Sequence, residues 1–480
     1  MKKVLNLFLA DRRLLCVACG ANSHVKKRHI NALHFNAFFC AIILLLIITG
    51  CGNRAGKDPI TLTMWHVYGS QTESPLNVMI NEFNQTKGKE RGIVVSVVSV
   101  TNSTAIDDVL IASAHNEPGA VPMPDLFTAY PRVAEEIGLD RLLDWGEYLS
   151  EEERSAYVDE FLAEGVLDGR LVMLPVAKST ELLFLNKTIF DRFSADTGAS
   201  EEDLLHFDTL FDLCCRYYDW SDGAEMFQIN DFYHYFLVNI AGLGGQFVRD
   251  GKLDCNSKEF EQVCLPMARA AIHGGLCTGD GYASDRWKTA EVISNIGSTA
   301  GMLYLRDYVT YRDNTTEEIE TTVYPYPVFS GAAPVVIQRG TGLFAMKSDD
   351  ERKNEAAAVF GKWITEDEHN LDFVIASGYL PVTENTFSTL FSDMSIVENE
   401  KFRTLYGAVN QMYNYYTFYP LPLYDSSGEI QSGFEETVKS VLSIAHRDYI
   451  SRIEHGDDPE TAMSELLDSS LSEIRDAVER

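Results

Sequence analysis

Residues 93–100, IVVSVVSV, form a nearly continuous run of β-branched side chains. A strand with one face in water alternates apolar and polar residues, whereas an unrelieved apolar run needs cover on both faces, as in parallel sheets. The flanking sequence supplies that cover. Ile60, Leu62 and Met64 alternate with Thr61, Thr63 and Trp65, which predicts a strand ending in an aromatic-rich loop. Leu76, Met79, Ile80 and Phe83 fall at i, i+3, i+4, i+7, one face of a helix that ends at the turn-like Lys87-Gly88-Lys89. Residues 105–114 read as a second helix and 125–130 (DLFTAY) as a third strand. Strand, helix, strand, helix, strand predicts a parallel α/β sheet. Ligands of such sheets sit beyond the carboxyl ends of the strands. Those ends carry Trp65, His66, Tyr68 and Gly69 after the first strand, and Thr128, Ala129 and Tyr130 after the third.

Residues 168–191 (DGRLVMLPVAKSTELLFLNKTIFD) read as a turn at Asp168-Gly169, a strand to Leu174, a break at Pro175 and a second strand to Leu185. Asn186 and Lys187 then lead into a helix. This segment resembles the D-G-K-x-Y-x-L-P…Y-N-K-x-x-F signature of extracellular solute-binding proteins of ABC importers, in the carbohydrate-type group that includes maltose-binding protein. Lys187 and Phe190 match, while Arg170 stands where that family often has Lys and Leu185 where it often has Tyr. Other stretches are similar to the family in the family's own order. They are TLTMWHVYG (61–69), DLFTAYPRVAEEIGLDRLLDW (125–145), GLGGQFVRDGKLDCNSKEF (242–260), GSTAGMLYLRDYV (297–309), VYPYPVFSGAAPVVIQRGTGLFAMKS (323–348) and NEAAAVFGKWITEDEHNLDFVIASGYLPV (354–382).

The resemblance implies an α/β, two-lobed clamshell of the periplasmic-binding-protein type, with discontinuous lobes joined by hinge crossings. Lobe one is expected to take residues 60–176 and 342–388, and lobe two 181–338 and 389–480. Crossings are then expected at 175–180 and 338–341, where Gly340 and Gly342 can absorb backbone rotation. Sugars are held by aromatic faces against their C–H surfaces and by Asp, Glu, Asn and Arg side chains on their hydroxyls. The candidate cleft residues are Trp65, His66, Tyr68, Tyr130, Lys178, Glu181, Trp287, Tyr304, Arg306, Asp307, Arg339 and Tyr379. That mix suits a mono- or oligosaccharide, although Lys178, Arg306 and Arg339 equally suit a phosphate or carboxylate. Tyr413, Tyr415, Tyr416, Phe418, Tyr419 and Tyr424 crowd residues 410–428, and adjacent Tyr415 and Tyr416 cannot share one helix face, so some of these rings are expected in the cleft. Beyond them, 435–444 and 459–478 read as amphipathic helices, the second with Asp458 as N-cap and Pro459 at N1. The expected partners are a small solute and the permease subunits of an ABC importer. A membrane sensor kinase in place of the permease is the alternative. No cofactor is expected, and the protein is expected to be a monomer.

The N-terminal segment says where such a receptor works. Residues 38–51, FFCAIILLLIITGC, follow the basic cluster Lys26, Lys27, Arg28 and stop at a Gly-Cys pair, the order of a bacterial secretion signal. Its unbroken apolar run, Phe38 to Ile48, is shorter than the roughly 20 residues that a bilayer span needs. Ile48-Thr49-Gly50-Cys51 resembles the lipobox of bacterial lipoproteins, which implies lipidation of Cys51, a cleaved leader at 1–50 and a short tether at 51–59. Translation is expected to start near Val25, since nothing before it is needed for the signal.

Charge and motifs narrow the class. The leader carries 7 Lys/Arg and 1 Asp/Glu, so the remainder has a net charge of −37. Such a body lacks the basic footprint of a nucleic-acid binder. Cys214, Cys215, Cys255, Cys264 and Cys277 match no zinc spacing and read as buried thiols. Enzyme signatures fail in detail. Residues 297–301 read GSTAG in place of G-x-S-x-G, Glu368-His369 lacks a second His four residues on, and neither a phosphate loop nor an EF-hand is present. A glycoside hydrolase needs only two carboxylates about 5–9.5 Å apart, and an acidic chain offers many pairs, so a glycan-active enzyme is the remaining rival.

Overall fold

In a computed structural model that describes residues 59–66, 74–99, 103–424 and 426–478, β1 (Ile60–His66) and β2 (Ile93–Ser99) pair in parallel, with Ile60 opposite Ile93. The leader, Cys51 and Tyr68 lie outside the described residues. β3 (Leu126–Ala129) joins the other side of β1, also in parallel. Helix α1 (Pro75–Gln85) buries Leu76, Met79, Ile80 and Phe83, the predicted apolar face. Lys87-Gly88-Lys89 is not a turn. It starts a short helix, Lys87–Arg91, that closes at left-handed Gly92. Gly88 packs so tightly there that a Cβ would lie 2.7 Å from the Ile93 carbonyl oxygen. Helices α2 (Ser103–Ala114) and α3 (Pro131–Ile137) complete the first layer, and a short strand β4 (Leu174–Pro175) follows the Asp168-Gly169 turn. Both turn residues take positive φ, 48° and 73°, as a type I′ hairpin requires.

The second sheet takes β5 (Glu181–Asn186), β6 (Phe227–Ile229), β7 (Leu276–Cys277), β8 (Ser294–Ser298) and β9 (Thr321–Tyr324) in the order β7-β6-β8-β5-β9. β6, β7 and β8 run parallel, while β5 runs antiparallel to both β8 and β9. Its core is aromatic. Phe207 meets Tyr235 and Tyr326 edge-on, and Phe236 stacks on Phe260 at 4.9 Å. Helix α4 (Phe232–Gly242) is buried on every side except at Ala241, as an apolar helix inside a large lobe should be. The five described cysteines are free, and burial pushes the Cys264 thiol up to about 12.

The chain crosses between the sheets three times. The first crossing runs from β4 to β5. The second runs from β10 (Val335–Gln338) to β11 (Gly342–Ala345), which returns to the first sheet antiparallel between β3 and β4. That sheet is therefore mixed, with order β2-β1-β3-β11-β4. Helix α5 (Glu351–Thr365) then covers it, and Phe83 meets Phe360 and Trp363 edge-on at 5.1 and 5.3 Å. A third crossing follows at 378–399 and leads to β12 (Thr417–Pro420), which pairs in parallel with β10. Helices α6 (Ser427–Glu454) and α7 (Pro459–Val478) close the second lobe, and Asp458 caps α7 by accepting from Thr461 N–H at 3.0 Å.

The crossings are hydrogen-bonded side by side. Ser179 and Arg339 exchange backbone bonds at 2.8 and 2.7 Å, and Lys178 and Leu380 do so at 3.3 and 2.6 Å. Gly340 has φ +112°, and a Cβ there would sit 2.6 Å from the Ala177 carbonyl oxygen, so both its conformation and its close approach need glycine. Gly342 differs. It lies in β11 against the Met173 side chain, and its role there is packing.

Candidate functional site

The two lobes face each other across a cavity of ≈ 1620 Å³. On the first lobe Asp107 of α2 and Tyr130 and Arg132 at the head of α3 line it; Pro131 at N1 turns the chain from β3 into that helix. On the second lobe the wall includes Asn230 and Asp231, which follow β6, and Asn295 of β8. Asp231 caps α4 by accepting from His234 N–H at 2.9 Å. Asn230 Oδ1 accepts from Ala283 N–H at 3.0 Å, which holds the loop that carries Tyr282. A Cβ on Gly297 would lie 2.7 Å from Asn230 Nδ2, so the strand end at Gly297 and the asparagine fit only without a side chain.

A charged network lies where the hinge meets the cavity. Arg339 Nη1 donates to Glu181 Oε1 at 2.6 Å, and His234 Nδ1 lies 3.2 Å from the same oxygen. Arg339 also hydrogen-bonds Tyr130, so one guanidinium joins both lobes. Burial by itself raises the pKa of Asp231, but His234 and Arg339 more than offset it and hold the carboxylate below its ordinary range. Burial first, and Asp231 beside it second, push Glu435 up to about 8. Burial likewise lifts Asp107 to about 6 against the pull of Arg132, with which it pairs. Arg132 also reaches the head of α6, where its guanidinium abuts Gly428 and leaves no room for a Cβ.

Among the twelve expected cleft residues, Tyr130, Tyr304, Arg339 and Tyr379 line the cavity. Glu181 lies beneath Arg339, 1% exposed. The remaining described ones are elsewhere. Trp65 packs with Ile106, Phe127 and Phe344 on the covered face of the first sheet. Buried His66 holds Asn77 Oδ1 through Nε2 at 2.9 Å, and its burial lowers its pKa. Lys178 is fully buried in the first crossing, where it pairs with Glu164. Trp287 is core, its indole N–H donating to the Arg306 carbonyl at 3.2 Å. Arg306 lies over Tyr308, and Asp307 pairs with Lys401, both outside the cavity lining. Tyr68 lies outside the described residues. Of the ring cluster near the C-terminus, Tyr424 lines the cavity and its hydroxyl lies 3.0 Å from that of Tyr233. Tyr416 instead bonds the Tyr326 carbonyl at 2.7 Å, and Tyr413 packs on Phe387.

Sequence reasoning missed Asn230, Asp231, Tyr282 and Asn295. The first two had a legible signal, because they follow a strand end as Tyr130 does. Asn295 had a weaker one, a carboxamide inside the short strand SNIGS, which proves to be buried. Among the described residues no group of three His, Cys, Asp or Glu side chains is placed to hold a metal ion.

Residues 78–396 match the family model of the bacterial extracellular solute-binding proteins. No curated protein matches the chain. Among solved structures, the cyclic α-maltosyl-1,6-maltose binding protein of Arthrobacter globiformis is 17% identical, with 88% of this chain and 99% of that one covered and a TM-score of 0.61. Maltose-bound T. maritima MalE3 is 18% identical over 86% and 99%, with a TM-score of 0.61. UgpB of Mycobacterium tuberculosis with glycerophosphocholine is 17% identical over 88% and 99%, with a TM-score of 0.62. At these identities the likeness is one of fold. The family match spans well over half of the sequence, and the chain belongs to the bacterial extracellular solute-binding proteins.

Proposed function

We propose that the protein captures an oligosaccharide between its lobes by hinge closure and delivers it to the permease subunits of an ABC importer, acting as a receptor and not as an enzyme. The observation that carries this reading is the cavity wall, where tyrosine faces stand open beside polar side chains. Tyr282 and Tyr304 are 59% and 39% exposed, with Asn295, Asp231 and Arg339 in the same cavity. A volume of ≈ 1620 Å³ exceeds the roughly 300–1,000 Å³ of a drug-sized pocket, which leaves room for several sugar rings. Two of the three compared structures are of maltose-type binders, and the third holds glycerophosphocholine. Lobe one takes 60–176 and 342–388, and lobe two 181–338 and 389–480. This division is supported by the return of β11 to the first sheet and by Phe387 packing on Phe161 while Leu390 joins the second-lobe core.

A lipid on Cys51 holds the receptor at the outer face of the membrane. This is supported by the lipobox-like sequence. A thermal-shift panel of neutral, amino and acidic oligosaccharides with glycerophosphodiesters tests the ligand class, since a ligand bound only by the native state raises Tm. Stabilisation by an oligosaccharide is expected. Stabilisation by a glycerophosphodiester alone overturns the carbohydrate reading. Mass spectrometry of the membrane-bound form is expected to find a diacylglyceryl Cys51 as first residue, and any other N-terminus overturns the anchor.

A further inference from the structure

We infer that the cavity selects a ligand free of anionic groups, a neutral or amine-bearing oligosaccharide, through a wall whose acidic side chains outnumber its cations and whose cations are each held in an ion pair. The inference rests on the carbohydrate reading and narrows it. Asp107, 3% exposed, lines the cavity from the first lobe and holds Arg132 in an ion pair there.

The cations of the wall are already engaged. Arg132 pairs with Asp107, Arg339 with Glu181 at 2.6 Å, Lys288 with Asp285 at 2.7 Å and Lys439 faces Glu435 at 3.5 Å. Against these four the lining sets nine Asp and Glu side chains. An anionic ligand therefore meets excess negative charge and must break an existing ion pair to find a cation. Rejection of the wrong charge is built into the wall.

The test uses three charge-matched oligosaccharide mixtures: neutral starch and cellulose hydrolysates, protonated chitosan oligomers and oligogalacturonides, with glycerophosphocholine as a fourth probe. Native mass spectrometry and titration calorimetry of the full chain read which are retained. Neutral or amino sugars bound at least about tenfold tighter than any acidic one is the expected result. Tighter binding of oligogalacturonides overturns the inference and leaves the carbohydrate reading intact. Retention of glycerophosphocholine alone, or of nothing, overturns both. Asp107→Asn supplies an independent arm, because it frees Arg132. The variant is expected to gain about tenfold for oligogalacturonide, and no gain overturns the role given to the Asp107–Arg132 pair.

Discussion

Arg339 sits where the hinge, both lobes and the cavity meet, and its removal exposes the logic of the site. In Arg339→Met the apolar stem is retained, but Glu181, 1% exposed, loses the guanidinium at 2.6 Å. Breaking a buried ion pair from one side costs about 3–5 kcal/mol, because the charge left behind stays desolvated. With an unfolding entropy of ~2.1 cal/mol/K per residue over about 420 residues, the loss corresponds to a fall in Tm of about 3–6 °C. Differential scanning calorimetry of wild type and variant reads that fall. A drop below about 1 °C refutes the reasoning.

Other perturbations follow from the same geometry. Trp65→Ala is expected to destabilise by about 3–5 kcal/mol through the cavity it leaves between Phe127 and Ile106, while ligand affinity per folded molecule stays the same; a loss of affinity without loss of stability would place the indole at the ligand after all. Gly340→Ala forces φ +112° and a backbone clash at Ala177, costing about 1–3 kcal/mol or displacing the hinge, which denaturation midpoints and scattering profiles detect. The folded pKa of Glu435, about 8, lies above its unfolded value near 4.5, so the folded state binds the extra proton between them and stability falls as pH rises through that window. Glu435→Gln is expected to flatten the slope of urea midpoints between pH 5 and 8, and an unchanged slope contradicts the assignment.

How much was legible in the sequence follows from how local each signal is. The run at 93–100 was legible as a strand, because β-branching is set by adjacent residues, but not as a doubly covered one: β2 is the edge strand of its sheet, with Ile93 and Val95 buried while Ser96 and Val94, 39% exposed, face solvent. The ordered motifs made the two-lobed fold legible as well, but not the sheet's mixed character, since β11 arrives more than two hundred residues after β3. Side-chain destinations were least legible. Trp65 and Tyr130 follow the same strand-end rule, yet helix α2 and Phe344 bury the first while the head of α3 presents the second. Lys178 and Arg339 are both basic crossing residues. Glu164 and Phe161 enclose one of them, while the other opens onto the cavity.

The central claim is that ligand sits on the tyrosine faces between the lobes. Titration calorimetry of the Tyr282→Ala, Tyr304→Ala double variant with the oligosaccharide that most raises the wild-type Tm tests it directly. Each stacked ring contributes about 0.5–1.5 kcal/mol beyond buried area, so the account predicts a loss of about ten- to a hundredfold with the melting profile of the free protein unchanged. Wild-type affinity in a folded double variant would contradict it.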